Sequence, residues 1–417
     1  MSSHLATPNI SERSARIRQR CADASQQLLK YCRENNWAGD DPYDALSSEL
    51  FKQFPALDSK LPRLVMTQAL KRSPVNLRRL LRIRPTQNPK ALALFMSSFL
   101  MMSDAELPDR AELIDYMIGR LIELRSPNTP YWCWGYSFHW QGRNMLVPMY
   151  SPNLVCTYFV ATSLLDVYEQ TGSARCLEMA ASAAEYILNE LYWTDGSVIS
   201  FSYPLPQTRS LVWNANLVAA ALFCRVHKHT GDKKFLDPAF KAARYAAEQQ
   251  RADGSWVYGA LPTQQWIDNF HTGYDLGALH AIARYTGTTE FDDRIKRGLE
   301  FYKAHFFRED GAPRYFHNRT YPIDAHCSAQ AIISMVEFKD LHPDNLSLAE
   351  SVFEYTMDHM WDERGFFYYR VLRSLTIKTS YMRWTQVWMF LAIVTLLRSY
   401  DTLSDSSSLQ HPAIVGA

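Results

Sequence analysis

One unit recurs along the chain and limits what it can fold into more than any other feature. It runs: polar or charged cluster, apolar helix, Thr-Gly stop, second helix charged on one side, Asp-Gly turn. The polar clusters are Asn88-Pro89-Lys90, Ser151-Pro152-Asn153, Asn214-Ala215-Asn216, Asp268-Asn269-Phe270-His271, Asp324-Ala325-His326 and Arg383-Trp384-Thr385-Gln386. They repeat roughly every 55 to 65 residues, the span of one helical hairpin with its connection. The stops are Thr171-Gly172, Thr230-Gly231 and Thr286-Gly287. Glycine there can take the left-handed conformation that ends a helix.

The first helix of each unit is apolar on nearly every side, as in residues 216–223, and so belongs in the interior. The second carries charge along one side, as in residues 241–251, and belongs outside. Alternating buried and half-exposed helices make a double-layered α/α barrel, and six units make it an all-α (α/α)6 toroid. We expect it to span residues 86–400, with short extended pieces after the Asp-Gly turns. A ring grows by adding hairpins, so 417 residues do not require a second core. Residues 1–85 are expected to form a helical extension packed on the barrel, with a helix from Ser11 to Arg33 and another element between Asp58 and Leu81. The Ser-rich residues 401–417 are expected to be a disordered tail.

The formal charge of +1 gives no general attraction for nucleic acid or acidic membranes. The local run Lys71-Arg72 to Arg84 reads as a solvated helix face. Seven irregularly spaced cysteines contain no zinc-binding pair and suit a reducing compartment. The first residues lack an apolar signal core, and the run Val387 to Leu397 is too short to span a bilayer. The expectation is a cytoplasmic protein with no transmembrane segment and no nucleic-acid partner.

In a ring of hairpins the six polar clusters meet at one end of a central funnel. Groups there feel the positive ends of the helix dipoles, which favours anionic or hydroxyl-rich ligands. Each cluster also reads as a simple helix cap, so convergence carries the argument for function. Asp268 and Asp324 come from neighbouring inner helices and supply the two carboxyl groups that glycoside hydrolysis needs. His271 and Tyr274 share a helix face and supply an acid and a base. With Arg383 to neutralise a sugar carboxylate, they would instead suit a uronate lyase or C5-epimerase. Substrate-binding candidates are Asp41, Asp44, Trp134, His139, Asn153, Asn214, Asn216, Trp266, Asn269, His326, Gln330, Arg383, Trp384 and Gln386. The aromatic connections offer flat faces for sugar rings. No Gly-rich phosphate loop or His-Glu-x-x-His motif is present, and His139, His271 and His326 lack the short spacing of metal ligands. No metal or cofactor is expected. A non-catalytic glycan- or partner-binding funnel fits the same residues.

The repeated hairpins resemble the α/α-toroid proteins, among them six-hairpin glycosidases, uronate lyases and terpenoid cyclases. Residues 249–256 resemble one copy of the cyclase Gln-Trp repeat, but the acidic run that protonates an alkene is absent. Asp41-Pro42-Tyr43-Asp44, residues 266–274, Tyr321 to His326 and Arg383 to Gln386 resemble a Vps-J-like family of bacterial exopolysaccharide biosynthesis. That resemblance implies processing of a polysaccharide or lipid-linked oligosaccharide beside the synthesis machinery. It supplies no mechanism.

Overall fold

The computed structural model describes residues 10–54, 57–142 and 145–408. Its helices are α1 (Ile10–Glu34), α2 (Glu49–Lys52), α3 (Lys60–Arg72), α4 (Pro89–Met101), α5 (Arg110–Glu123), α6 (Leu154–Thr171) and α7 (Ala174–Tyr186). They continue with α8 (Trp213–Thr230), α9 (Leu236–Ala247), α10 (Asn269–Thr286), α11 (Asp292–Phe306), α12 (Ala325–Glu337), α13 (Asp344–Met360) and α14 (Val387–Ser408). Helices α4, α6, α8, α10, α12 and α14 touch in that order, and α14 returns to α4, so the inner layer is a closed six-membered ring. Among the described residues the strands form three two-stranded sheets and one three-stranded sheet, all short, antiparallel and in the connections. The fold is the expected (α/α)6 toroid.

The inner helices are buried over most of their length, as their apolar sequences require; α8 is buried without interruption from Trp213 to Val226. The three Thr-Gly stops behave as read. Gly172, Gly231 and Gly287 have φ of 72°, 72° and 74°, and each amide closes the helix at 2.8 Å on a carbonyl four residues back.

Each inner helix has an outer partner following it in sequence, except α14. Its partner is α1, at the other end of the chain. Arg13 of α1 pairs with Glu354 of α13 at 2.8 Å, and Ser14 Oγ donates to Glu350 at 2.8 Å. On the other side Arg33 meets Asp109, just before α5, at 3.0 Å. The glycine turns after the outer helices, Asp253-Gly254, Asp310-Gly311 and Arg364-Gly365, show the equivalence. A Cβ on Gly254 would lie 2.3 Å from the Arg297 carbonyl oxygen of α11, and one on Gly311 2.5 Å from that of Ser351 in α13. One on Gly365 would lie 2.8 Å from that of Gln27 in α1. These three turns pack their glycine against the next outer helix, and α1 takes that place for the last of them; at Gly196 an added Cβ would meet nothing within 4 Å. A boundary at residue 85 therefore cuts through the ring. The described residues between Gly39 and Thr86 lie apart from it, bridged to Tyr381 by Asp40 and placed beside the start of α14. At the C-terminus α14 continues to Ser408, through much of the expected tail; residues 409–417 lie outside the described residues.

Candidate functional site

Asp268 and Asp324 are helix caps first. Asp268 Oδ1 accepts the His271 amide at 3.0 Å, and Asp324 Oδ1 accepts the His326 amide at 2.9 Å. Asn88 and Asn153 cap α4 and α6 in the same way. Capping leaves one further oxygen on each aspartate, and both are used. Asp268 Oδ2 meets His271 Nδ1 at 2.7 Å and accepts Trp266 Nε1 at 2.9 Å. Asp324 Oδ2 pairs with Arg370, while its Oδ1 also accepts Trp384 Nε1 at 3.0 Å. Both carboxylates are almost completely buried.

The Asp268–His271 contact has a chemical consequence. A carboxylate at Nδ1 holds the proton there and leaves the Nε2 lone pair outward, the arrangement of a general base. The His271 side chain keeps 21% of its surface accessible, against 1% for Asp268. Phe270, Tyr258 and Tyr274 wall the ring, with centroids 4.1, 4.6 and 6.1 Å away.

One helix further round, His326 Nε2 meets Tyr274 Oη at 2.9 Å. His326 stacks on Trp388 at 4.6 Å and meets Trp384 edge-on at 4.8 Å. Its Nδ1 is buried without a partner. Burial, with Lys90 and Arg383 nearby, pushes its pKa well below the usual imidazole range, so it is neutral. Burial raises the Tyr274 phenol. Lys90, the second residue of α4, lies over Phe159, Trp388 and Tyr274 with Nζ 4.1, 5.0 and 5.8 Å from the ring centroids. Burial, with Arg383 nearby, drives its pKa well down.

Arg383 does not wait for a ligand. Its Nε and one terminal nitrogen bind Asp41 at 2.6 and 2.8 Å, both partners buried. Asp44 is held likewise by Arg78 at 2.8 and 2.9 Å; burial pushes its carboxyl up to about 7 against that pull. Lys71 of α3 donates to Tyr43 Oη at 2.6 Å and lies over Trp384, 5.7 Å from its centroid. Residues 39–86 thus roof the funnel. Tyr43 in that roof and Tyr136, Tyr203, Tyr258 and Tyr315 in the connections are half-buried.

Other expected residues have structural work. Trp134 is fully buried and donates Nε1 to the Leu121 carbonyl at 2.7 Å, away from the funnel. Asn216 accepts from Ser200 and Phe201 and fastens the hairpin behind α8. Gln386 bonds both backbone groups of Phe367, and Asn269 accepts Tyr302 Oη at 2.8 Å. Asn214 lies inside the first turn of α8, whose cap position is Val212. His139 accepts the Met149 amide at 3.1 Å in a connection. Gln330 donates to Ser334 and lines a different space.

That space is a cavity of about 680 Å³ running toward the C-terminal ends of the inner helices. Tyr274, Phe159 and Trp388 border it; Asp268, His271, Asp324 and Arg383 do not. At its rim Arg225 is paired with Asp166 and Glu169, and Glu337 with His280. The reactive constellation is therefore at the N-terminal end, with Tyr274 and Trp388 between it and this cavity. Among the described residues no group of three or more His, Cys, Asp or Glu is arranged to hold a metal ion.

Sequence reasoning missed Arg370 and the Lys90 cage. Arg370 reaches Asp324 because the strand Ile323–Asp324 pairs antiparallel with Arg370–Val371. No local pattern carries that register.

No protein-family model matches the chain, and no curated protein matches it in sequence. Solved structures do match in fold. A cellobiose 2-epimerase from Spirochaeta thermophila is 13% identical, with 76% of this chain and 87% of that one covered and a TM-score of 0.59. A glycoside hydrolase family 76 mannosidase from Bacteroides thetaiotaomicron is 17% identical, covering 75% and 87%, with a TM-score of 0.59. An unsaturated glucuronyl hydrolase specific for heparin is 11% identical, covering 78% and 89%, with a TM-score of 0.55. The shared feature is the toroid.

Proposed function

We propose that this chain is a carbohydrate-active enzyme whose chemical step is proton transfer at a sugar carbon, as in an epimerase or lyase. The observation that carries the reading is the Asp268–His271 pair, with Nδ1 held by the carboxylate and part of the ring accessible to solvent. His271 is the base. The Tyr274–His326 pair, 2.9 Å apart, is the complementary acid or relay. A paired-aspartate hydrolysis is less well supported, because every oxygen of Asp268 and Asp324 already accepts a hydrogen bond. A general acid or nucleophile must present one to the substrate. The tyrosine-lined walls suit a sugar ring, and the names of the fold neighbours, two of them hydrolases and one an epimerase, support a saccharide substrate. A bacterial surface polysaccharide is the substrate class favoured by the motif resemblance. Arg383, held by Asp41, shapes the wall; a direct grip on a uronate would require that pair to open.

The test is a screen of neutral and uronate-containing bacterial oligosaccharides with three readouts: solvent deuterium at a sugar carbon, an ultraviolet-absorbing double bond, and released reducing ends. Either of the first two, abolished by His271→Ala, supports proton transfer. Reducing ends alone, retained in His271→Ala, would overturn it.

A further inference from the structure

Residues 52–84 carry nine Lys and Arg against one acid, Asp58; Arg78 is buried on Asp44 and Arg63 and Arg84 are paired with Asp58 and Glu49, while Lys60, Arg72, Arg79 and Arg82 stand exposed. The same stretch holds seven of the twelve large hydrophobic side chains that stand exposed among the described residues. Helix α3 is turned inside out for a helix that covers a core. Its Thr67 and Leu70 are buried, Leu70 against Ala45 and Ile83, while Leu61 (71% exposed) and Val65, one turn apart, face outward. Lys60 and Arg72 stand exposed on the same helix. The loop that follows repeats the pattern, with Leu80 73% exposed between exposed Arg79 and Arg82.

Isolated exposed leucines need no explanation, but seven exposed large apolar side chains gathered in one short stretch among exposed cations point to a binding surface. Apolar side chains projecting among cations match the two layers of an anionic bilayer surface: headgroup charge outside, acyl chains beneath. No helix among the described residues is long and apolar enough to cross a membrane, so such contact would be peripheral. Lys71 and Tyr43 tie this segment to Trp384 in the funnel roof, so the surface adjoins the mouth of the candidate site. We propose that the exposed face of α3 and of the loop that follows it, residues 60–84, docks the protein on an anionic lipid surface. The proposal does not depend on which sugar, if any, the funnel takes.

The full chain should sediment with phosphatidylcholine vesicles containing phosphatidylglycerol, and not with pure phosphatidylcholine, at about 0.1 M salt. Arg72→Glu with Arg79→Glu and Arg82→Glu should weaken binding by at least about tenfold. Leu61→Ser with Val65→Ser and Leu80→Ser should also release the protein from vesicles. Equal binding to neutral vesicles, no binding to anionic ones, or unaltered binding by the charge-reversed variant would each overturn the proposal. So would patch-dependent self-association, or capture of a polyanion such as heparin without vesicle binding. Circular dichroism of both variants confirms that the ring is folded.

Discussion

Gly365→Ala probes how the ring is closed. Gly365 has φ of 87°, where a side chain is strained, and an added Cβ would lie 2.8 Å from the Gln27 carbonyl oxygen of α1. The left-handed backbone costs on the order of 1 kcal/mol. Pushing α1 outward against its packing on α14 adds roughly 1–3 kcal/mol. The expected destabilisation is about 3 kcal/mol. Two companions calibrate it. Gly172 has φ of 72°, but its Cβ would meet nothing within 4 Å, so Gly172→Ala should cost only about 1 kcal/mol. Gly311→Ala, with φ of 82° and a Cβ 2.5 Å from the Ser351 carbonyl of α13, should cost at least as much as Gly365→Ala. Urea unfolding followed by circular dichroism gives the three values. Hydrogen exchange should show protection lost across residues 10–34 in Gly365→Ala. If that variant costs no more than Gly172→Ala and leaves α1 protected, α1 is not seated as the sixth outer helix.

Asp268→Asn keeps the α10 cap but sets an amide against His271 Nδ1, favouring the tautomer with Nε2 protonated; turnover should fall by about 10³-fold or more with little change in KM. Asp324→Asn leaves Arg370 without its buried counter-charge and should cost roughly 3 kcal/mol in denaturant titration, with Arg370→Leu in the same background recovering part of it. Lys90→Met should stabilise the protein. The folded amine has a pKa depressed below its unfolded value, so folding releases its proton, and stability is lost as pH falls below the unfolded pKa, near 10.4. The gain in melting temperature for Lys90→Met should therefore be larger at pH 6 than at pH 9.

The parts of this molecule that were legible in its sequence are those written in local patterns. Thr-Gly stops need a left-handed residue after the last turn, and Gly172, Gly231 and Gly287 supply it. The apolar inner helices and the polar residues that open them also follow from neighbours in the chain. The clustering of His271, Tyr274 and His326 came from the repeat itself, since equivalent positions in successive hairpins end at the same place. What stayed hidden depends on distant pairings. Arg13 meets Glu354 and Arg383 meets Asp41 across most of the chain, so neither the place of α1 nor the capture of Arg383 has a local signature. Trp134 and Asn216 were drawn toward the funnel by residue type alone. An indole or a primary amide also satisfies buried backbone groups, and both do so here.

The most direct measurement of the proposed chemistry is proton exchange by the wild-type protein in deuterated water. Turnover with the active oligosaccharide should place deuterium at one sugar carbon in an epimerised product, or yield an unsaturated product whose formation shows a kinetic isotope effect for deuterium at that carbon. His271→Ala should abolish this while binding of the oligosaccharide persists. Hydrolysis to reducing ends with every sugar C–H intact, surviving in His271→Ala and lost in Asp324→Asn, would contradict it.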